Sequence, residues 1–412
     1  MSPKLIYLVL ALLSVILAIR LANHLLSVKK YPPGTSITFE TQVLAQPKIS
    51  SRGQQVSLSL PNSQRVSVRM SLNPLLSYGD RVKIEGKVEY FEAEDGAKVA
   101  FINYPRFELV KKGTANLFYN LRENIVKFFS SNLSPTHSSL MLGIVFGIKQ
   151  DMPEDFYKDL QRTGLMHVVA ASGMNVTMVG GFLASFFALF LRRQVALILS
   201  ILGIFFYAFM AGFEPSIVRA SIMGVLVFGS QLIGRQNTSF LGLFMAAFIM
   251  LFINPSLVLD IGFQLSFMAT FGLIYLRPIF YISVRMREFI KKSIIGEDLA
   301  TTLTAQLFTL PILLVNFGSY SLISILVNAI ALWTVPVIMI FGALAVLAGL
   351  IAEPIGRLIL YFNLPFLLYF EKIVTSFGQV GSQIELKTLP NFLICGYYLL
   401  LISLTMLVKK KG

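Results

Sequence analysis

One apolar stretch of the sequence carries three side chains that could do chemistry at membrane depth. The segment GLMHVVAASGMNV, which begins at Gly164, places His167, Ser172 and Asn175 among aliphatic residues. A histidine and a serine could serve as base and nucleophile of a hydrolase, whereas polar groups inside apolar helices usually face protein or a water-filled path. A helix break near Gly173 would be needed to bring the histidine and the serine together. We therefore favour a polar pathway over a catalytic pair.

A second polar stretch, GFEPSIVRASIM, contains an acid and a base close together. Pro215 suits the first turn of a helix, with Glu214 near the positive N-terminus of that helix. Arg219 follows one turn later. This arginine could pair with Glu214 or Asp260 as a structural tie, or it could face a passing phosphate.

Two further stretches place polar residues in apolar surroundings. Asp260 and Gln264 are four residues apart, which predicts that they share a helix face. A structural hydrogen-bond pair between helices is the alternative interpretation. Farther along, Pro311 and Pro336 are predicted to interrupt apolar helices, and Asn328 lies between them. Broken helices in a bundle are typical of transport proteins.

The composition identifies the elements that must position these residues. The chain has 412 residues, of which 55% are hydrophobic and 14% charged, and its mean hydropathy is +0.71. Soluble domains carry roughly 25% charged residues, and several apolar runs reach the ~20 residues that cross a bilayer. The sequence therefore predicts a polytopic α-helical membrane protein. Residues 1–28 form its membrane anchor, and residues 135–408 form the domain of spans.

The positions of the basic residues predict the topology. Placing both termini in the cytoplasm puts the arginine and lysine clusters between spans on the cytoplasmic side, in agreement with the positive-inside rule, and requires about ten spans. The single cysteine and the three scattered histidines fit no zinc-site spacing, so we expect no metal or other cofactor.

Residues 36–112 have a different pattern. Polar and apolar side chains alternate there, as in half-buried strands. Short strands separated by turn residues predict a small extracytoplasmic β-barrel of the OB type. Residues 114–133 follow with apolar residues at helical spacing, which predicts an amphipathic helix on the membrane surface. A helix that only connects the β-rich segment to the spans fits the same pattern nearly as well.

The predicted barrel is basic and aromatic. Between Lys29 and Lys112 there are thirteen Lys and Arg residues against eight Asp and Glu residues. OB folds bind single strands through basic grooves and stacked aromatic side chains. The candidates for DNA binding are Tyr90, Phe91, Phe101 and Tyr104. Filling the barrel core is the alternative for each of them.

Taken in order, these stretches resemble the ComEC family of competence proteins, which carry incoming DNA across the bacterial inner membrane. NPSLVLDIGFQLSFMATFGL is similar to the most specific segment of that family, and GFEPSIVRASIM and the opening stretch resemble two others. Asn175 stands where many members have a second histidine, so a proton relay or metal there is less expected. Many members also continue into a metallo-β-lactamase-like domain, whereas this chain is expected to be a short form without it.

The resemblance implies transport of single-stranded DNA across the cytoplasmic membrane during natural transformation, without enzymatic activity. It also implies a separate DNA receptor, a separate nuclease and a cytosolic ATP-driven motor as partners. A small-solute transporter and an intramembrane hydrolase are the alternatives. The residues expected to lie on the DNA path are His167, Ser172, Asn175, Glu214, Arg219, Asp260, Gln264 and Asn328.

Overall fold

The fold was examined in a computed structural model of the chain. It describes all residues except 1–2, 28–30, 44–46, 51–52, 62–64, 77–78, 93–97, 113–116, 149–151, 170–171, 235–237, 278–295, 322, 381–382, 386–390 and 412. The chain divides into two compact units, Met1–Leu121 and Arg122–Gly412.

The first unit contains one helix and the strands of a mixed sheet. The helix, α1, spans Pro3–Ser27. The strands are β1 (Thr35–Gln42), β2 (Lys48–Ser50), β3 (Gly53–Ser59), β4 (Arg65–Met70), β5 (Arg81–Glu92), β6 (Lys98–Asn103) and β7 (Arg106–Lys111). Their order is β1-β5-β6-β4-β3-β2, with β7 also paired to β5. All these pairs are antiparallel except β4 with β6, which is parallel.

Period-2 alternation explains the core of this sheet. On β4, Val66, Val68 and Met70 are buried and Arg69 is exposed, because successive side chains of a strand point to opposite faces. The buried residues of the other strands join them in one apolar cluster. The predicted β-rich unit is therefore present, with seven strands among its described residues. Its assignment to the OB type stays a prediction.

The second unit is helical. Its helices are α2 (Leu117–Asn132, which begins at the end of the first unit), α3 (Pro135–Phe146), α4 (Glu154–Thr163), α5 (Met166–Val169), α6 (Gly173–Ala188), α7 (Arg193–Met210), α8 (Pro215–Leu232), α9 (Ser239–Ile253), a 3₁₀ helix (Pro255–Leu259), α10 (Ile261–Tyr275), α11 (Gly296–Phe317), α12 (Ser324–Ala331), α13 (Thr334–Ile351), α14 (Glu353–Gly378) and α15 (Asn391–Lys411). Two short strands, β8 (Ser319–Ser321) and β9 (Gln383–Glu385), pair antiparallel.

Within the described residues, five helices are long and apolar enough to cross a membrane. They comprise Arg193–Met210, Pro215–Leu232, Leu299–Asn316, Thr334–Ile351 and Glu353–Gly378. Four shorter apolar helices accompany them, at Leu8–His24, Gly173–Ala188, Ser239–Ile253 and Ile261–Tyr275. Large apolar side chains point outward from these helices, as expected of surfaces that face lipid. The chain is a membrane protein, and the number of ten spans stays a prediction.

Only one of the two prolines acts as predicted. The apolar run around Pro336, residues 320–352, contains two helices, α12 and α13, which are interrupted just before Pro336 in the first turn of α13. Pro311, which was expected to interrupt its helix, lies inside the continuous α11. Proline has no N–H for the carbonyl of residue 307, but the hydroxyl of Tyr397 donates to Leu307 O at 2.9 Å. The hydroxyl of Tyr398 similarly donates to Phe308 O at 2.8 Å.

The helices of the second unit pack in two neighbourhoods. Helices α6 to α10 contact one another in succession, and α8 also contacts α6 and α10. In the other neighbourhood, α14 packs against α13 and α4, and α13 packs against α3. The first neighbourhood contains three of the four polar stretches singled out in the sequence.

Candidate functional site

The predicted break in the opening stretch separates two helices. Helix α5 ends at Val169 and α6 begins at Gly173. Ser172 occupies the N-cap position of α6, but its hydroxyl donates to Asn175 Oδ1 at 2.9 Å and makes no capping bond. The amide of Asn175, which is 1% exposed, donates to Ile144 O of α3 at 2.8 Å. Asn175 therefore joins α3 to the start of α6.

His167 takes no part in this pair of bonds. Its side chain is exposed, and its Nδ1 lies 2.8 Å from the carbonyl oxygen of Gly164. No hydrogen bond joins His167 to Ser172, although both side chains are described. The geometry gives no support to a serine–histidine catalytic pair.

Arg219 lies buried at the junction of three helices. It belongs to α8, is 8% exposed, and donates through Nη1 to Ser266 O and Thr270 Oγ1 of α10. Its Nε has no hydrogen-bond partner within the described part of the chain. Neither of the expected partners, Glu214 or Asp260, forms an ion pair with it.

The other terminal nitrogen of Arg219 meets the start of α6. A Cβ atom at residue 173 would collide with Nη2 of Arg219 and would lie 3.3 Å from Cβ of Ala220. Only glycine leaves room for the guanidinium at this position. Gly173 thus brings the first turn of α6 against Arg219, and Arg219 ties α8 to α10.

Asp260 and Gln264 hold the start of α10. Asp260 is the N-cap residue, and its Oδ1 accepts from Phe263 N at 2.8 Å. Gln264 donates from Nε2 to Val258 O at 2.9 Å, in the preceding 3₁₀ helix. Asp260 lies at the N-cap and not inside the helix, but its carbonyl accepts from Gln264 N at 3.0 Å, so the two residues are one helical turn apart as predicted. Capping of this kind satisfies N–H groups that have no partner within the helix.

The last two candidates belong to the start of α8 and to α12. Glu214 is the N-cap residue of α8, immediately before Pro215, as the sequence predicted. Asn328 belongs to α12, is 2% exposed, and its Oδ1 has no hydrogen-bond partner among the residues described. The structure therefore brings together Ser172, Asn175 and Arg219 around Gly173.

The aromatic candidates of the sheet divide into two groups. Tyr90 packs against the core and donates through its hydroxyl to Tyr31 O at 3.0 Å, while the side chain of Phe91 lies outside the described residues. Phe101 is half-buried beneath the guanidinium of Arg69, whose Cζ is 5.8 Å from the ring centroid. Tyr104 is 53% exposed, and its N–H donates to Arg69 O at 2.8 Å.

Arg69 and Phe101 therefore form a basic and aromatic face, and Tyr104 is joined to Arg69 through its backbone; these three residues are here called the β4–β6 face. Residues 67 and 69 of β4 pair with residues 101 and 103 of β6 in parallel register, so their side chains share the outer side of the sheet. A cation over an aromatic ring and an exposed tyrosine are groups that stack on nucleic-acid bases.

Sequence reasoning missed the partners of Arg219. Ser266 and Thr270 are four residues apart on α10, a spacing that places both on one helix face. Small hydroxyl residues are common in membrane helices and gave no distinct signal. Tyr207 of α7, whose buried hydroxyl lies close to Asn175, was also missed. In the searched part of the chain, no group of three or more metal-ligating side chains was found.

Two competence proteins are similar to this chain over part of its length. The chain is 28% identical over 264 residues to ComE operon protein 3 of Bacillus subtilis, covering 63% of this chain and 33% of that protein. It is 25% identical over 280 residues to competence protein ComA of Neisseria gonorrhoeae, covering 64% of this chain and 38% of that protein. The chain thus matches less than two-fifths of the length of either relative.

A solved structure gives only a weak likeness. The mitochondrial single-stranded DNA binding protein Rim1 of S. cerevisiae is 15% identical, with 20% of this chain and 98% of that chain covered, and the TM-score is 0.17. That score is too low to establish a common fold.

The family match covers the membrane helices. The model of the family described as "Competence protein" matches residues 144–411, which include the helices that carry Asn175, Arg219 and Asp260. Because this match extends over about two-thirds of the chain, the chain belongs to the competence protein family.

Proposed function

We propose that this chain transports single-stranded DNA inward across the cytoplasmic membrane during natural transformation. The observation that carries the proposal is the family match over the membrane helices α6 to α10. Its competence relatives suggest a role in DNA uptake. The transport step, the direction and the inner-membrane location are our inference.

The charge of the helical unit supports a polyanionic substrate. Between Gly164 and Tyr281 the sequence contains five arginines, no lysine and only two acids, Glu214 and Asp260. A path for phosphates must avoid carboxylates, because like charges repel strongly where water is scarce. A buried arginine without a carboxylate partner fits a path of this kind.

The β4–β6 face supports a single-stranded substrate. An exposed tyrosine and an arginine stacked on a phenylalanine can hold unpaired bases, and stacking contributes roughly 1–3 kcal/mol per base. The basic excess of residues 29–112 adds attraction to the phosphates. We infer that the sheet lies outside the membrane and receives the strand.

We infer a non-enzymatic role for this chain. The separation of His167 from Ser172 favours transport over an intramembrane hydrolase. In the proposed system, a separate receptor supplies DNA, a separate nuclease removes the second strand, and a cytosolic ATP-driven motor pulls the remaining strand inward.

Reconstitution tests the proposal against the alternative of a small-solute transporter. The purified chain is placed in proteoliposomes, and a labelled single strand is offered outside with a DNA-binding protein trapped inside. We expect the labelled strand to become nuclease-resistant only in vesicles that contain the chain. Uptake of small solutes by the same vesicles, without uptake of DNA, would contradict the proposal.

A further inference from the structure

Two positive groups meet at the start of α6, and no carboxylate among the described residues forms an ion pair with Arg219. The first N–H groups of a helix have no partner within the helix, and with the helix dipole they carry about half a positive charge. No side chain caps this end, since Ser172 bonds to Asn175. The guanidinium of Arg219 adds a full charge against Gly173. This arrangement is unfavourable unless an anion lies nearby.

The guanidinium of Arg219 is held in place, but not all of its N–H groups form hydrogen bonds. It is more than nine-tenths buried, and its Nη1 is fixed by Ser266 and Thr270. Its Nε donates to no described acceptor. Guanidinium groups bind phosphate with two parallel N–H groups, a geometry that lysine cannot supply.

The site has an exposed side. Met174, the residue after Gly173, is 42% exposed, and Ser172 is half-buried. The start of α6 is therefore not fully covered by the neighbouring helices. Helix N-termini bind phosphate groups in many proteins for the same electrostatic reason.

We propose that Arg219 and the N-terminus of α6 form a binding site for one phosphate group of the DNA backbone. The proposal rests on the proposed function for the identity of its ligand, and on the geometry of Gly173 and Arg219 for its position. It assigns Gly173 a purpose beyond helix packing, because any larger residue would displace the guanidinium.

A local readout is needed because the β4–β6 face is itself a proposed DNA-binding surface. The chain has a single cysteine, Cys395, so a Cys395→Ser background allows one reporter cysteine at Met174. The full chain is placed in nanodiscs of zwitterionic lipid, and the rate of maleimide labelling at position 174 is measured. The probes are an oligothymidylate, its uncharged methylphosphonate analogue, inorganic phosphate, and nanodiscs containing anionic lipid.

We expect the oligothymidylate to protect position 174 and the methylphosphonate analogue to leave it reactive. In Arg219→Gln, the concentration needed for protection rises about ten- to hundredfold, which is the loss of one charged hydrogen-bonding group. Equal protection in this variant and in the parent would overturn the site. Protection by anionic lipid or inorganic phosphate, but not by the oligonucleotide, would overturn its assignment to DNA.

A second variant keeps the charge but displaces the guanidinium. Gly173→Ala places a methyl group where Nη2 lies, so the end of the Arg219 side chain must move away from the start of α6, and thermal unfolding checks that the variant stays folded. Gly181→Ala is the matched control, since it adds the same methyl group to the same helix with nothing within 4 Å. We expect weaker protection in Gly173→Ala and unchanged protection in Gly181→Ala. Equal protection in both would contradict the proposal even if Arg219→Gln fails to fold.

This experiment separates the site from the transport function. Loss of protection in both variants, together with a failure of DNA to enter proteoliposomes, would retain the site and refute transport. Intact transport with unchanged protection in both variants would retain the function and refute the site.

Discussion

At the level of single residues, Asp260 has a structural role that its charge alone does not reveal. Its carboxylate accepts the N–H of Phe263 and caps α10, the helix that carries both partners of Arg219. The role that we propose for Asp260 in DNA uptake therefore involves hydrogen bonding as well as charge.

Substitutions of Asp260 separate these two roles. Asp260→Ala removes the cap and is expected to lower the free energy of unfolding by about 1 kcal/mol, and also to reduce DNA uptake. Asp260→Asn keeps an equally good cap and is expected to preserve both the free energy of unfolding and DNA uptake. Denaturant unfolding in detergent and uptake in cells measure the two quantities. Normal stability with lost uptake in Asp260→Asn would show that the negative charge itself is required.

At the level of helices, the continuous path of α11 through Pro311 depends on a neighbouring helix. The carbonyl of Leu307 loses its usual N–H partner at Pro311 and accepts from Tyr397 of α15 instead. A contact of this kind explains how a proline can be tolerated inside a membrane helix.

A double-mutant cycle tests this compensation. Tyr397→Phe is expected to destabilise the chain by roughly 0.5–1.5 kcal/mol, because it leaves the carbonyl of Leu307 without a partner. In the Pro311→Ala background the helix supplies its own N–H, so the same change is expected to cost much less. Thermal unfolding of the four variants measures the coupling. An equal cost in both backgrounds would show that Tyr397 acts through something other than this carbonyl.

The sequence predicted which segments form strands and helices better than it predicted where the helices begin or break. Period-2 alternation located the β-rich unit, and long apolar runs located the membrane helices, because both patterns follow directly from which faces are buried. It did not predict that Pro311 stays within a helix or that Asp260 precedes one. Those outcomes depend on Tyr397 and on the 3₁₀ helix before α10, which are contacts made in three dimensions.

The candidate site was predicted in part. The polar residues Ser172, Asn175 and Arg219 were identified from their place in apolar segments, and the structure gathers them around Gly173. The tie from Arg219 to Ser266 and Thr270 was not predictable, since the choice among several possible partners is made by helix packing.

At the level of the whole molecule, the arrangement across the membrane is a prediction that labelling can test. In the Cys395→Ser background, a cysteine at Lys87 of the sheet is expected to react with an impermeant maleimide added to intact cells. A cysteine at Gln194, beside Arg192 and Arg193, is expected to react only after the membrane is opened. Both positions are exposed in the structure. The reverse pattern would invert the proposed topology.

The sheet is predicted to contribute to DNA binding by the full chain. Tyr104→Ala and Arg69→Ala are each expected to weaken binding of a single strand about ten- to hundredfold at low salt, because each removes a stacking or cationic group. Binding in the parent chain is expected to fall steeply as salt increases. The control is Lys87→Ala. Lys87 lies on β5 where that strand pairs with β1, so this substitution is expected to weaken binding less. Unchanged binding in Tyr104→Ala and Arg69→Ala would exclude the β4–β6 face.

DNA uptake in cells that lack this chain tests the central claim most directly. Labelled double-stranded DNA is supplied to competent cells, and label protected from external nuclease inside the cytoplasmic membrane is measured. The account predicts that DNA still binds to cells without the chain but does not enter the cytoplasm, and that the parent gene restores entry. Normal entry of DNA in the absence of the chain would contradict the account.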